Sequence, residues 1–562
     1  MSALTLTIDG HEVSVAPGQT VLDASRQIGL EIPTLCFLEK CGPLTSCQVC
    51  LVKINGKLVP SCATPAQPGM VVESETDEVH EARRTALELL FSDHVGDCLA
   101  PCHRLCPLGL EIPAMLRQVR TGQMEAARAT VRDALPLPSV LGRLCHHPCE
   151  QGCRRGAWDN PAGIRELERF VADQAWASAA PEAPASSAAA AFDPVQPEPK
   201  PGGASSASPQ YLGRAELGSP EKKPATGKSV VIIGAGPAGL AAAHYLLRRG
   251  HTCTIADRHE AAGGSLRTQV EAKALPREIL DAEIRQIERL GAQFKPGASL
   301  GPDLTLDGLM RGCDAVLIAT GEISKADGEA MGLEMAPGGI KTDPGTCQTA
   351  RPGVFAAGRA VKPVHQLVRA MAEGQAAAIC IHQFLRGQPV RRPDRPFSSL
   401  MGRLEKEELK TFVHAAGSLP DAKPCDVCAG LTAGQAAAEA SRCLHCDCRS
   451  SGQCALQHYA QVYGADPGRF RQARRLFEQQ GRIGGLIFEP GKCIRCGICV
   501  KLSELAGEPF GLAFIGRGFD MRVGPPLNRS FDEALSKSAE ECAKDCPTGA
   551  LVLRPTSSPD PG

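Results

Sequence analysis

The sequence predicts a multidomain chain of mixed α+β and α/β class: a small sheet domain, an α-helical cysteine-bearing domain, a Rossmann-type α/β domain and a small C-terminal cysteine-bearing domain. Three observations predict this. The 562 residues exceed one core and suit roughly three or four domains of about 150 residues each. The 26 cysteines gather in four groups, Cys36 to Cys62, Cys98 to Cys153, Cys425 to Cys454 and Cys493 to Cys546, leaving Cys253, Cys313, Cys347 and Cys380 solitary. A glycine-rich turn between an apolar strand and an alanine-rich helix lies in the cysteine-poor stretch in the middle.

Charge narrows the class. Lys and Arg total 61 against 62 Asp and Glu, a net charge of -1, which leaves no electrostatic footprint for nucleic acid or anionic membrane. No stretch reaches the roughly 18 consecutive apolar residues of a membrane span, and no cleavable leader is evident. A soluble, cytoplasmic protein without membrane insertion is expected. In that reducing compartment clustered thiols indicate metal sites rather than disulfides.

The first domain is expected over residues 1–78. LTLTIDGHEVSV alternates apolar and polar positions about Asp9-Gly10, a hairpin signal. TVLDASRQIG then reads as a helix ending at glycine. Cys36, Cys47, Cys50 and Cys62 follow as C-x10-C-x2-C-x11-C. Four thiolates on loops around one sheet can hold a [2Fe-2S] cluster; Cys41 breaks the spacing and is set aside. The alternative is a zinc knuckle, whose sites usually pair two C-x2-C units. The arrangement resembles the N-terminal ferredoxin domain of the cluster-bearing subunit of respiratory NADH dehydrogenase and of related formate dehydrogenases and hydrogenases, which implies a β-grasp fold.

Residues 79–176 carry His94, Cys98, Cys102 and Cys106 at four-residue steps, then Cys145, Cys149 and Cys153 at the same step. The intervening IPAMLRQVRTGQMEAARATVRDA is helical in period. This stretch is similar to the α-helical double [4Fe-4S] domain of the glutamate synthase small subunit and dihydropyrimidine dehydrogenase. The resemblance implies one cluster on Cys98, Cys102 and Cys153 with His94 as fourth ligand, and a second on Cys106, Cys145 and Cys149 with Glu168. The family has a cysteine where His94 stands, although a His-x3-Cys opening occurs in the NADH dehydrogenase subunit. The alternative is that His94 is a solvated helix residue and its cluster is incomplete or water-ligated.

An Ala/Pro/Ser-rich segment, 177–228, reads as a linker that cannot bury enough apolar surface to fold. In 229–395, KSVVIIGAGPAGLAAAHYLLRRGHTCTIADR places Gly234, Gly236 and Gly239 between a strand and a helix, and Asp257 at the end of the next strand. Such glycines let backbone approach a pyrophosphate at the helix N-terminus, with the acid near a ribose hydroxyl. GGSLR with Gly264 and Arg267, AVLIATG at 315–321, and GVFAAGRA with Gly358 and Arg359 resemble the remaining FAD motifs of two-dinucleotide flavoproteins, and ALPREIL at 274–280 narrows this to glutamate synthase small subunits. FAD is therefore implied. That family inserts a whole NAD(P)H domain between the ATG motif and the last FAD strand; here Gly321 to Gly353 spans 32 residues, about one βαβ unit. The chain is expected not to bind a nicotinamide in the family's way. Arg359 replaces the family's aspartate and could pair with the pyrophosphate, or FAD binding could be weakened.

Two further regions, 396–480 and 481–562, close the chain. Cys443, Cys446, Cys448 and Cys454 follow the helix-like AGQAAAEA and suggest one [4Fe-4S] cluster, with zinc as the alternative; Cys425 and Cys428 could replace members of the set. KCIRCGICVKLSE gives Cys493, Cys496 and Cys499, and CAKDCPTGAL gives Cys546 before proline, the ligand pattern of one half of a bacterial ferredoxin. Ser503 stands where the first half's fourth cysteine would be, and Ser536 and Ala539 where the second half's first two would be, so one cluster is expected and Cys542 is spare.

The expected inventory is FAD, one [2Fe-2S] cluster and up to four [4Fe-4S] clusters, with no catalytic residues of its own. It suits an electron-transfer subunit of a multi-subunit oxidoreductase, relaying between an NAD(P)H-oxidising flavoprotein subunit and a catalytic subunit. The alternatives are a self-contained NAD(P)H-dependent reductase and a zinc-binding scaffold.

Overall fold

A computed structural model describes residues 3–177, 224–301, 304–416, 430–450, 452–480 and 485–553. The expected linker falls almost wholly outside the described residues, as do Cys425 and Cys428.

The N-terminal sheet grows from the Asp9-Gly10 turn, where both residues have positive φ (46° and 81°), the geometry that matches strand twist in a two-residue hairpin. Leu4–Ile8 and His11–Val15 pair antiparallel through Ile8 and His11. The five-stranded sheet runs His11–Val15, Leu4–Ile8, Val71–Glu73, Leu51–Ile54, Lys57–Pro60, with one parallel pair, Leu4–Ile8 against Val71–Glu73. Leu6, Ile8, Val13 and Val15 face inward against the helix Val21–Gln27. Thr20 and Asp23 close that helix's first turn with a capping box, which satisfies donors the helix cannot.

The stretch of helical period over 112–134 forms two helices, Ile112–Arg120 and Met124–Ala134. Gly122 at φ 72° makes the break; Thr-Gly interrupts a period that otherwise continues. Helices Pro138–Leu144 and Ile164–Ala177 pack beside them.

The central domain is a parallel five-stranded sheet, Gln293–Lys295, Thr252–Ala256, Ser229–Ile233, Ala315–Ile318, Val354–Ala356. Its central strands are apolar because helices cover both faces. Helix Pro237–Arg248 follows the glycine turn and packs tightly on Leu367–Leu385: a Cβ at Gly374 would lie 2.0 Å from the Ala238 carbonyl oxygen, so only glycine permits this approach. Residues between Gly321 and Gly353 form the short helix Lys325–Ala330 and a two-stranded ribbon, Met335–Ala336 with Gly339–Ile340.

One continuous core joins the helical domain, the parallel sheet and the post-sheet segment from Leu431 to Cys443. A second core unites the C-terminal region with Cys36 and Cys47 from the first domain. Each buried leucine in these cores contributes about 1.5–3 kcal/mol. Among the described residues, no helix is long and apolar enough to cross a membrane.

Candidate thiol and dinucleotide sites

The loop from Cys36 to Cys50 is bent by left-handed Thr45 and Gln48 (φ 53° and 56°), which turns Cys36, Cys47, Cys50 and Cys62 inward; all four are buried. Cys50 Sγ lies 3.3 Å from Cys62 Sγ. A hydrogen bond from Cys47 lowers the Cys36 thiol to about 5, and one from Cys62 lowers Cys50 to about 7; their partners are raised by the same bonds. Cys41 lies instead among Lys40, Asp545 and Glu541.

Cys106, Cys145 and Cys149 surround Glu168, which acts on the charge of each. Burial lifts the Glu168 carboxyl to about 8, with Glu150 adding to the rise. Its Oε1 is buried without a hydrogen-bond partner. A lone buried carboxylate oxygen beside three thiols fits a cluster ligand, because an uncompensated buried acceptor is otherwise costly.

The other thiols partition differently from the sequence-based sets. Cys98 does not sit with Cys102. Its Sγ lies 3.3 Å from Ser399 Oγ, its carbonyl accepts the Cys448 N-H at 3.3 Å, and its thiol and that of Cys454 both feel Cys448. His94 is at the same place: a Cβ on Gly96 would lie 3.3 Å from His94 Nε2 and 2.7 Å from Lys492 Cε. Burial, with Lys492 nearby, depresses the His94 imidazole to about 3, so it is neutral, the form that ligates metal. Cys102 instead feels the charge of Cys443, Cys153, Cys446 and, least of these, Cys149. The expected grouping of Cys443, Cys446, Cys448 and Cys454 as one set is thus split, Cys448 and Cys454 going to Cys98 and Cys443 and Cys446 to Cys102. The reason is local: the helix Pro101–Leu105 holds Cys102 but begins after Cys98, so equal four-residue spacing does not put the two thiols on one face.

Cys493, Cys496, Cys499 and Cys546 line one cavity with Phe488, Ile498 and Pro547. The non-cysteine positions are absorbed by hydrogen bonds: Ser503 Oγ donates to the Val500 carbonyl (2.8 Å) and accepts from Leu512 N-H (3.0 Å), and Ser536 donates to Glu508. Cys542 is buried and aims at the Cys499 carbonyl. This cavity adjoins the first domain, where Ser46 Oγ donates to the Cys496 carbonyl at 3.3 Å. Gly491 and Val95 link it to the His94 group through a 2.7 Å backbone bond.

In the parallel-sheet domain a Cβ at Gly239 would lie 1.9 Å from the Gly234 carbonyl oxygen, whereas one at Gly236 would meet nothing within 4 Å; the turn is tight inside and open outside. Gly264 closes over Gly236, and Gly358 abuts Ala238. Asp257 folds back on the turn, accepting the Ala235 N-H at 2.7 Å. Arg267 pairs with Asp281 and donates to the Ala262 carbonyl at 2.9 Å, and Arg359 pairs with Glu322. Two groups missed in the sequence have buried oxygens without partners: Thr320 Oγ1, which falls within the ATG motif, and Gln366 Oε1, which carried no sequence signal. Among the described residues, all cysteines are free thiols, and no group of three or more His, Cys, Asp or Glu side chains is arranged to hold a metal ion.

Comparison with known proteins gives the class of each part. Residues 1–77 match a 2Fe-2S iron-sulfur cluster binding domain, residues 73–180 the 4Fe-4S cluster domain II of dihydropyrimidine dehydrogenase, and residues 232–293 an NAD(P)-binding Rossmann-like domain. The chain therefore joins two iron-sulfur domains to a dinucleotide-binding Rossmann domain. Among its relatives is the NADP(+)-dependent formate dehydrogenase subunit beta of Moorella thermoacetica, 39% identical over 40% of this chain and 29% of that protein. The glutamate synthase [NADPH] small chain of Mycobacterium tuberculosis is 33% identical over 40% of this chain and 39% of its own length. The NADP-reducing hydrogenase subunit HndD of Solidesulfovibrio fructosivorans is 49% identical over 18% of each. The chain thus spans well under half of each of these relatives.

Proposed function

We propose that this chain is an electron-transfer iron-sulfur flavoprotein, relaying electrons between an NAD(P)H-oxidising flavoprotein partner and a catalytic partner within a multi-subunit oxidoreductase. The observation that carries this reading is that the thiol groups share packed interiors: one core joins Cys36 and Cys47 to the C-terminal cavity, another joins the helical-domain thiols to the glycine turn, and the Val95–Gly491 backbone bond ties the helical region to the C-terminal one. Oxidoreductase subunits among the relatives, with the matched 2Fe-2S and 4Fe-4S domains, support it. Bound FAD would exchange an electron pair for single electrons that iron-sulfur clusters carry.

Within this reading a β-grasp domain holds a [2Fe-2S] cluster on Cys36, Cys47, Cys50 and Cys62. Cys106, Cys145, Cys149 and Glu168 hold one [4Fe-4S] cluster, Cys493, Cys496, Cys499 and Cys546 another, and His94, Cys98, Cys448 and Cys454 a third. Burial keeps water from the thiolates, and Lys492 places positive charge beside Cys448. Gly234, Gly236 and Gly239 open the backbone to the FAD pyrophosphate, and the helix Pro237–Arg248 turns its N-terminus toward it.

The NAD(P)-binding description of the Rossmann match favours a second reading, a self-contained NAD(P)H-dependent reductase. Anaerobic addition of NADH or NADPH to the purified chain separates the two: no flavin bleaching is expected under the relay reading, and rapid bleaching would replace it with the second. Iron and acid-labile sulfide assays come first. Stoichiometric zinc in their place would leave a scaffold.

A further inference from the structure

The helical domain brings Cys102 and Cys153 together, and Cys149 also bears on Cys102; Cys98 faces Ser399 and Cys448, while Glu168 acts on Cys106, Cys145 and Cys149. What completes the pair comes from beyond the Rossmann sheet. Helix Ala433–Ser441, capped by Thr432 and Gln435, packs on Ile112–Arg120 and delivers Cys443 and Cys446 to the same spot.

The docking is specific on both sides of the C-x2-C. Just before it, Arg442 is buried (1% exposed) and donates to the Asn160 carbonyl at 2.9 Å and the Pro161 carbonyl at 3.2 Å, while its own carbonyl accepts from Arg155 at 2.7 Å. Glu439 pairs with Arg442 at 2.7 Å and accepts the Gly163 N-H at 2.7 Å. Just after it, Asp447 pairs with Arg117 at 2.9 Å. Between the thiols His445 takes a left-handed conformation (φ 46°), and its N-H points at Cys443 Sγ, 3.4 Å away, as a backbone amide does toward a ligating sulfur. Arg154, beside Cys153, bears on Cys446 and Arg117 on Cys443, supplying positive charge around four thiolates.

We propose that Cys102, Cys153, Cys443 and Cys446 hold one [4Fe-4S] cluster in common, half of its ligands from the helical domain and half from the segment that follows the Rossmann domain. This inference rests on the iron-sulfur reading above. It departs from the arrangement implied by the glutamate synthase-type resemblance, in which the helical domain supplies its cysteine ligands alone. In this chain the cluster is a rivet between two regions that the dinucleotide domain separates in sequence.

The experiment uses the full chain purified anaerobically, with iron and sulfide analysis and EPR of the dithionite-reduced protein. Cys102→Ser and Cys443→Ser are each expected to lose about four iron atoms, the content of one [4Fe-4S] cluster, and to remove the same EPR signal. The double variant is expected to lose no more than either alone. Losses that add to about eight irons, or a Cys443→Ser spectrum matching Cys448→Ser instead of Cys102→Ser, would overturn the shared site. If the serine variants do not fold, Cys102→Asp and Cys443→Asp retain an anionic ligand; they are expected to shift the g values of one and the same signal, and shifts in two different signals would overturn it. A wild-type chain without iron or sulfide would instead end the electron-transfer reading itself.

Discussion

The N-terminal thiol site and the thiols buried between the helical domain and the post-Rossmann segment contrast in how their side chains are assembled. Cys36, Cys47, Cys50 and Cys62 come from one continuous stretch beside a sheet whose own core holds Cys50 and Cys62, while Cys36 and Cys47 also pack against the C-terminal region. Cys102 and Cys153 meet Cys443 and Cys446 across an interval that contains the whole parallel sheet. The first arrangement needs local turns; the second needs two regions to dock through a buried Arg442-Glu439 pair. Local sites can load metal independently, whereas shared ones report on the state of the whole interior.

The strongest attempt to break this contrast is a chain ended after Arg395. Iron is expected to fall from about 18 atoms to about six, counting two per [2Fe-2S] and four per [4Fe-4S] cluster, with the [2Fe-2S] absorbance and circular dichroism kept; loss of that chromophore as well would mean the N-terminal site is not independent. Next in size, Gly234→Ala sets a Cβ 2.3 Å from the Ala319 carbonyl oxygen at a φ of 111°. Flavin retention is expected to fall about tenfold or more, since a displacement costing about 1.4 kcal/mol already gives that factor, while iron content stays constant. Arg442→Met removes the buried ion partner of Glu439 (3% exposed) and should cost about 3 kcal/mol in unfolding free energy. Lys53→Met, which removes a solvent-screened pair to Glu78 (2.6 Å), should leave the unfolding free energy nearly unchanged, and equal losses would erase the distinction.

The contact between the helical and Rossmann domains can also be tested through pH. Burial raises the Glu283 carboxyl to about 8, and its Oε1 accepts the Ser139 N-H at 3.0 Å across the contact between the helical and Rossmann domains. Because the folded value lies above the unfolded one, the associated stability is complete below the unfolded value of about 4.5 and is lost as pH rises through about 8. Thermal unfolding between about pH 4.5 and about pH 8 should show a decline in Tm that Glu283→Gln flattens.

Legibility followed the same division. The Asp9-Gly10 hairpin, the capped helix after it and the glycine turn at Gly234 could be read from sequence because each is fixed by residues a few positions apart. Glu168 emerged from resemblance, and its unpartnered oxygen is what sets it beside three thiols in space. The distribution of Cys98 and Cys102, and of the four thiols from Cys443 to Cys454, was not legible. A four-residue step implies a common face only if helix runs through it, and here it starts between the two cysteines. Arg442, Lys492 and Ser399 carried no signal, since nothing nearby in sequence marks a charged or hydroxyl side chain that serves a region hundreds of residues away.

The separation of Cys102 from Cys443 also orders the birth of the molecule. Roughly 340 residues lie between them, and at about 5–20 residues per second a ribosome takes about 20 to 70 s to cross that distance. Through this interval Cys102 and Cys153 have emerged without their counterparts, so a cage built on all four could be filled only after the segment bearing Cys443 and Cys446 has been made, whereas Cys36 to Cys62 leave the ribosome within seconds of one another.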